Sequence, residues 1–294
     1  MTAGRSGRLD GKVVLVTGAA RGIGARTARL AAARGATLVL AGLEPELLET
    51  LAAELGPGHA AYECDVTGQD ALDRVVSRVV DDLGGIDVVI ANAGIANNGT
   101  VAVNPVEAHV RTVEVNLIGV IRTVCATLPH VTARRGHYLL VSSLAAFTVL
   151  PSMAAYCASK AGVEQFGNAL RLEVAHKGVT VGTAHPGWID TDLVRDQRAE
   201  SSTFREVLKS LPWPLDVISP VDVCAEAFVD GIVRRRRRVY VPRSLAFAQL
   251  LRSVVLSPLG DLPVRRGAAR RIPVHEEEVR RLGRAFGRTS VGQR

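Results

Sequence analysis

Seven short apolar runs, separated by longer stretches of helical pattern, limit this chain to few folds. In order they are "KVVLVTG", "TLVLAG", "AAYECDV", "IDVVIANAG", "HYLLVSS", "VTVGTAHPG" and "RVYVP". Runs that stay apolar at successive positions suit strands buried on both faces of a parallel sheet. Their alternation with helical stretches, such as Ala25 to Ala33 ending at Gly35, predicts βαβ units with helices on both faces. The expected fold is therefore α/β, a doubly wound, mostly parallel seven-stranded sheet. The seventh run ends near Pro242, which divides the chain into a sheet domain over 1–242 and an extension over 243–294. In such sheets ligands sit beyond the carboxyl ends of the strands, at the point where strand order reverses. Candidate functional residues should then stand just after the runs.

Composition supports one sizeable core: 47% of the 294 residues are hydrophobic. No apolar run reaches the roughly 18 residues of a membrane span, and "MTAGRSGRLDGK" lacks the apolar stretch of a secretory leader. The cysteines at 64, 125, 157 and 224 have neither metal-ligand nor paired spacing. These features predict a reduced, cytoplasmic protein with no metal. The net charge of +7 is local, because sixteen arginines and four acids between Arg234 and Arg294 leave the remainder acidic. The basic balance describes a tail and gives no reason to expect nucleic-acid binding by the core. The pentad at 234–238 reads as a solvated turn.

Two stretches carry chemistry. "TGAARGIG", Thr17 to Gly24, follows the first run and opens the first helix. Gly18, Gly22 and Gly24 let the backbone approach a pyrophosphate, and the helix offers free N–H groups at its positive dipole end. A dinucleotide is the expected ligand. In "AAYCASKAG" a tyrosine precedes a lysine by four residues, so Tyr156 and Lys160 share one helix face. Close packing through Ala154, Ala155, Ala158, Ala161 and Gly162 is one reading, and an acid–base pair is the other.

The ordered motifs resemble the short-chain dehydrogenase/reductase family over about Leu9 to Pro242. They are the TGxxxGxG turn, "CDVT" with Asp65, "NAG" at Asn92–Gly94, "VNLIG" with Asn116, "LLVSS" with Ser143, the Tyr-x-x-x-Lys pair, and "HPGWIDT" with Thr191. Ser143 precedes Tyr156 by the family's thirteen residues. The resemblance implies an NAD(P)-dependent oxidoreductase with Asn116, Ser143, Tyr156 and Lys160 as catalytic residues. Ser143 would donate to the substrate oxygen, Tyr156 would move the proton, Lys160 would hold the nicotinamide ribose, and Asn116 would hold a water. The cofactor would meet Thr17, Gly18, Arg21, Gly22, Ile23, Gly24, Gly42, Asp65, Val66, Asn92, Ala93, Gly94, Tyr156, Lys160, Pro186, Gly187 and Thr191. A tyrosine near pKa 10 needs a fall of roughly 3 units to work at neutral pH, expected from the Lys160 ammonium and the positive nicotinamide.

Cofactor choice turns on the second strand. The acid that grips the ribose diol in NAD sites would fall at Gly42, and Arg21 is placed to pair with a 2′-phosphate. Both favour NADP(H), while Glu44, 20 residues past Gly24, keeps NAD(H) open. Phe147, Leu150, Met153, Trp188 and Leu193 predict an apolar pocket for a lipophilic alcohol or ketone of steroid, retinoid or acyl type. Other residues read as structural. His185 is expected at a strand end, His109 and His130 at the surface or capping, Ser142 facing the core, and Asp190 and Asp192 capping a lid helix. Cys157 is given no role. Two alternatives remain beside the enzyme: a catalytically silent dinucleotide sensor, and a fold whose tail anchors it to a membrane or partner. A homo-oligomer, dimer or tetramer, is expected, with Val163, Phe166, Leu170 and Val174 as a stripe on the Tyr156 helix that serves either assembly or the core alone. For the tail, packing within the chain or between subunits comes first and peripheral membrane contact second.

Overall fold

The computed structural model describes residues 9–287. The N-terminal stretch on which the leader expectation rests, and Arg288 and Arg294 of the basic tail, lie outside the described residues. In chain order the elements are β1 (Val13–Thr17), α1 (Gly22–Ala33), β2 (Thr37–Gly42), α2 (Pro45–Leu55), β3 (Ala60–Glu63), α3 (Gln69–Leu83), β4 (Val88–Ala91), α4 (Val106–Val113), α5 (Gly119–Ala133), β5 (His137–Val141) and α6 (Ala154–Glu173). There follow β6 (Thr180–Pro186), β7 (Trp188–Ile189), α7 (Asp192–Glu200), α8 (Ser202–Ser210), β8 (Ile218–Ser219), α9 (Val221–Val233), β9 (Arg238–Val241), α10 (Leu245–Leu250), α11 (Arg252–Val255) and α12 (Pro258–Leu282).

The seven expected strands form one sheet in the order β3-β2-β1-β4-β5-β6-β9, every pairing parallel. This is the Rossmann-type doubly wound arrangement, with the order reversing between β1 and β4. Side-chain alternation divides the core. Val14 and Val16 of β1 face α1, α2 and α9 with Leu38, Leu40, Ala28 and Phe228. Val13 and Leu15 face α3, α5 and α6 with Val39, Val79, Val124 and Val163. The short strands β7 and β8 pair with each other outside the main sheet and frame α7 and α8.

Packing decides between readings at three places. Val163, Leu170 and Val174 are buried in the core and Phe166 packs against it, so the α6 stripe is not an oligomer surface. Val106–Ala133, formed by α4, a π turn and α5, is long and apolar enough to cross a membrane by length and composition. Its inward Thr112, Val120, Val124 and Val131 are buried, which reads it as a core helix of the sheet. The arginine pentad is only partly solvated. Arg238 lies in β9 and meets the buried Glu164 of α6 at 3.2 Å, together with Thr183 and Asn168. Glu164 also accepts from Gln249 and Arg252, which ties α6 to the start of the tail.

The tail folds back on the chain. Leu245 and Ala248 of α10 are buried in a third apolar cluster with Leu144, Phe147, Trp188 and Val194. The opposite face of α10 and α11 is exposed, with Leu250 at 80% and Phe247 at 62%. Beyond Ser257, α12 packs on α8.

Candidate active site

The cleft lies where the topology requires it, at the carboxyl ends of β1 and β4. Gly18 has φ +64° and Gly22 φ +57°, left-handed values that favour glycine. A Cβ at Gly24 would stand 2.2 Å from the Gly18 carbonyl oxygen, so only glycine lets α1 start this close to β1. Thr17 Oγ1 accepts from the backbone N–H of Asn92 at 3.1 Å and of Ala93 at 3.2 Å. Asn92 Nδ2 donates back to the carbonyls of Thr17 and Gly18. Thr17 and Gly24 thus shape the cleft from behind rather than line it, unlike the expectation for them.

The cleft, about 210 Å³, is lined by Gly18, Arg21, Gly22, Ile23, Gly42, Asp65, Val66, Asn92, Ala93, Gly94, Tyr156, Lys160, Pro186 and Thr191. Asp65 accepts from the Thr67 N–H and hydroxyl and from Arg111 at 3.2 Å. Burial alone would raise its carboxyl, and those hydrogen bonds outweigh burial and hold it below the ordinary value. Arg21 and Glu44, weighed from the sequence as rivals for the ribose end, are paired to each other, Nε to Oε2 at 3.0 Å.

The reactive end is built on β5, the π turn and α6. The π turn Glu114–Ile118 carries the fully buried Asn116, a placement typical of functional sites. Its Oδ1 accepts from Ile95 N at 2.8 Å, and its Nδ2 donates to Ile95 O and Ser159 Oγ. Asn116 therefore locks the loop after β4 and joins it to α6 through Ser159. Ser142 Oγ donates to the Lys160 carbonyl at 2.7 Å, and Lys160 Nζ donates to Val141 O at 3.0 Å. Lys160 Nζ stands 5.7 Å from the centre of the Tyr156 ring. Gly162 allows α6 to meet Leu117 of the π turn, where a Cβ would come within 2.7 Å. Ala154 and Ala158 are exposed, so close packing involves only part of the small-residue stretch.

These positions agree with the comparisons. A short chain dehydrogenase family model matches residues 12–202. The chain belongs to the short-chain dehydrogenase family. It is 36% identical over 231 residues to nodulation protein G of Rhizobium sp. (strain N33), covering 76% of this chain and 94% of that protein. A 3-oxoacyl-[acyl-carrier-protein] reductase of Vibrio cholerae is 34% identical over 196 residues, 66% of this chain and 80% of that protein. A short-chain dehydrogenase/reductase structure from Mycobacterium marinum aligns with TM-score 0.71 at 25% identity, covering 80% of this chain and 95% of that one. As a member of this family the protein is an NAD(P)-dependent oxidoreductase acting on CH–OH or C=O groups.

In this dehydrogenase the residues fit a dinucleotide. Glycine at 22 and 24 leaves both positions at the α1 N-terminus without side chains, and a Cβ at Gly94 would stand 3.2 Å from Asn116 Oδ1 and 3.3 Å from Lys160 Nζ. Beside the cleft is an apolar cavity of about 90 Å³ lined by Ser143, Leu150, Met153, Gly187, Trp188 and Leu193 among others. Gly187 lines this cavity next to Pro186, which lines both the cavity and the cleft. The expectation for Phe147 is corrected. It is fully buried behind the cavity, its ring 5.6 Å from His185. His185 stacks on Tyr240 at 5.2 Å, and burial pushes it down to about 3, so it is a neutral structural group as expected. Trp188 is a pocket wall, its Nε1 donating to Leu215 O at 2.9 Å.

Asp190 and Asp192 pair with Arg195 instead of capping α7, whose N-cap is Thr191. His109 contacts Asn97 at 3.2 Å rather than standing free at the surface. Arg111 was missed. It reaches the cleft from α4 across a separation of 46 residues from Asp65, which no local pattern announces.

The electrostatics of the pair also depart from expectation. Burial pushes the Tyr156 phenol up to about 12, opposed by a hydrogen bond from Ser143. Burial lowers the Lys160 ammonium to about 8. The protein's own groups do not bring the phenol towards neutrality. The lowered lysine has a testable consequence. Between pH 8 and 10.5 the unfolded chain binds the Lys160 proton more tightly than the folded one, so Lys160's contribution to stability rises with pH across that window. Relative to Lys160→Met, the parent should gain about 2 kcal/mol between pH 8 and 10. Urea unfolding of both proteins at the two pH values measures the difference, in which the buried cysteines titrating in both cancel. An equal pH response would contradict the lowered lysine.

Proposed function

We propose that this dehydrogenase interconverts a lipophilic ketone and its secondary alcohol, with NADP(H) as the preferred cofactor. One observation carries the reading: Tyr156 lines both the polar cleft and the apolar cavity beside it. The nicotinamide supplies or accepts the hydride when bound. Ser143 Oγ, buried between the Ala145 N–H and the Pro186 carbonyl, is held to receive the substrate oxygen. Tyr156 Oη gives that oxygen a proton during reduction and takes it back during oxidation. Lys160 Nζ, fixed by Val141 O, keeps a cation beside the ring and retains further donors for a ribose. Leu150, Met153 and Trp188 exclude water and favour an apolar chain over a sugar. The intact Asn116, Ser143, Tyr156 and Lys160 set favours an enzyme over a silent sensor, and the setting remains that of a cytoplasmic protein.

Tyr156→Phe removes the hydroxyl that moves the proton and leaves its volume in place. Turnover of a graded series of 2-alkanones should fall by about 10²–10⁴ with cofactor binding retained. Nicotinamide absorbance and a cofactor titration measure the two quantities. Near-normal kcat in the variant would remove Tyr156 from the mechanism. Tight cofactor binding without turnover of any ketone or alcohol by the parent would favour the sensor.

For the cofactor, a Cβ at Gly42 would meet only Leu48 side-chain atoms at 3.6 and 3.7 Å and Ala19 N at 3.8 Å, so a side chain is admissible there. A 2′-phosphate would compete with Glu44 for the exposed Arg21 guanidinium. Gly42→Asp should shift kcat/KM towards NAD(H) by accepting from the ribose 2′-hydroxyl and repelling a phosphate. A parent that already prefers NAD(H) would transfer the assignment to Glu44.

We also propose a homo-oligomer, dimer or tetramer, supported by the exposed Val106 and Val110 of α4, Leu172 of α6, and the outer face of α10–α11. Sedimentation velocity at micromolar concentration should show more than one chain per particle. A monomer that binds anionic but not neutral vesicles would instead assign the tail face to a membrane surface.

A further inference from the structure

We propose that the C-terminal arm holds the substrate cavity in shape, with Glu278 of α12 as the positioning residue that pins the α7–α8 joint. The inference rests on the apolar cavity being the substrate site. Glu278 Oε2 accepts from Ser201 Oγ at 2.8 Å, and its Oε1 accepts from the Ser202 N–H at 3.1 Å and from the Ser202 hydroxyl. Ser201 is itself fully buried and caps α8 by accepting from Phe204 N at 3.0 Å. One carboxylate thus fixes the residue where α7 ends and α8 begins. Arg284 pairs with Glu200, the last residue of α7, from the same arm.

The arm also grips the opposite rim. Asn98 N donates to Ala285 O at 2.7 Å, Asn97 and Phe286 form an antiparallel bridge, and Thr100 Oγ1 donates to Glu276 Oε1 at 2.6 Å. Ala96 lines the cavity from this loop, and Leu193, Val194 and Gln197 line it from α7. The arm therefore spans from one wall to the other. Glu278 remains ionised through the working pH range. Burial alone would raise it, but the hydrogen bonds from Ser202, Ser201 and Thr203 bring it to about 2. Position 278 lies beyond residues 12–202, the span that matches the family model. The arm lies outside that span, and the α7 residues Val194 and Gln197, next to the pinned joint, line the cavity and not the cofactor cleft, which α7 borders only at its start.

The test compares the parent with Glu278→Ala and Glu278→Gln in the full chain, by amide hydrogen exchange and by kinetics on 2-alkanones with NADPH. Hydrogen bonds to a charged group are worth roughly tenfold or more in an equilibrium. In Glu278→Ala, amides of residues 192–208 should exchange about tenfold faster while those of β1, β4 and β5 stay unchanged. KM for the ketones should rise by about tenfold, with kcat and the KM for NADPH within about twofold. Glu278→Gln keeps the volume and one of the two acceptor oxygens and should fall between the two, which preserves the test if the alanine variant folds poorly. Unchanged exchange over 192–208, or equal acceleration across the sheet, would overturn the proposal, as would faster local exchange with an unmoved ketone KM. The exchange readout needs no substrate. Inactivity of the parent on every ketone would therefore count against the substrate class alone.

Discussion

A distance too short for any side chain governs the active end of this sheet. The Gly18 carbonyl and the start of α1 approach so closely that a methyl group at Gly24 would overlap it. From this approach follows the need for glycine at the start of α1, and from that the room for a pyrophosphate at the strand-order reversal. Thr17 and Asn92 then bind the ends of β1 and β4 to each other, so the glycine turn and the loop over Asn92–Gly94 move as one wall. Asn116 continues the linkage through Ile95 and Ser159 to α6. The tyrosine and lysine are thus referenced to the cofactor cleft by hydrogen bonds joined through the short backbone stretch from Ala93 to Ile95.

Burial works against the chemistry at the other end of that chain. Removing Lys160 and Tyr156 from water disfavours the ammonium and the phenolate alike, and both groups are displaced towards their neutral forms. A neighbouring cation at 5.7 Å from the ring centre does not reverse this within the protein alone. Within the protein alone the pair is held towards its neutral forms, so a fall of the phenol towards neutral pH would have to come from a further positive charge.

Much of this was legible in the chain because it is local. Each of the seven strands is a contiguous apolar run, the glycine turn sits directly between strand and helix, and Tyr156 and Lys160 share a helix face by spacing alone. What was not legible depends on distant partners. Phe147 and Val163 look like surface-lining candidates in a linear pattern, and only packing against His185 or the sheet makes them core. Arg21 and Glu44 read as rivals when weighed separately, since neither predicts that the other is its partner. Arg111 and the sign of the Tyr156 shift belong to the same class, set by a burial and a contact that sequence spacing does not encode.

The tail shows how a generic fold acquires particularity. An apolar helix followed by arginines suggests a surface anchor, because arginine runs and exposed leucines are the features a linear reading detects. Three acids, Glu276, Glu277 and Glu278, lie within that basic stretch, and two of them decide its path: Glu276 meets Thr100, and Glu278 meets Ser201 and Ser202. The arginines attract anions in general, whereas the carboxylates find particular hydroxyls and a particular backbone N–H. The direction of the arm is accordingly set by these carboxylates together with Arg252 and Arg284, which pair with Glu164 and Glu200. The carboxylates attach it to the loop after β4 and to the α7–α8 joint, the two segments that border the apolar cavity.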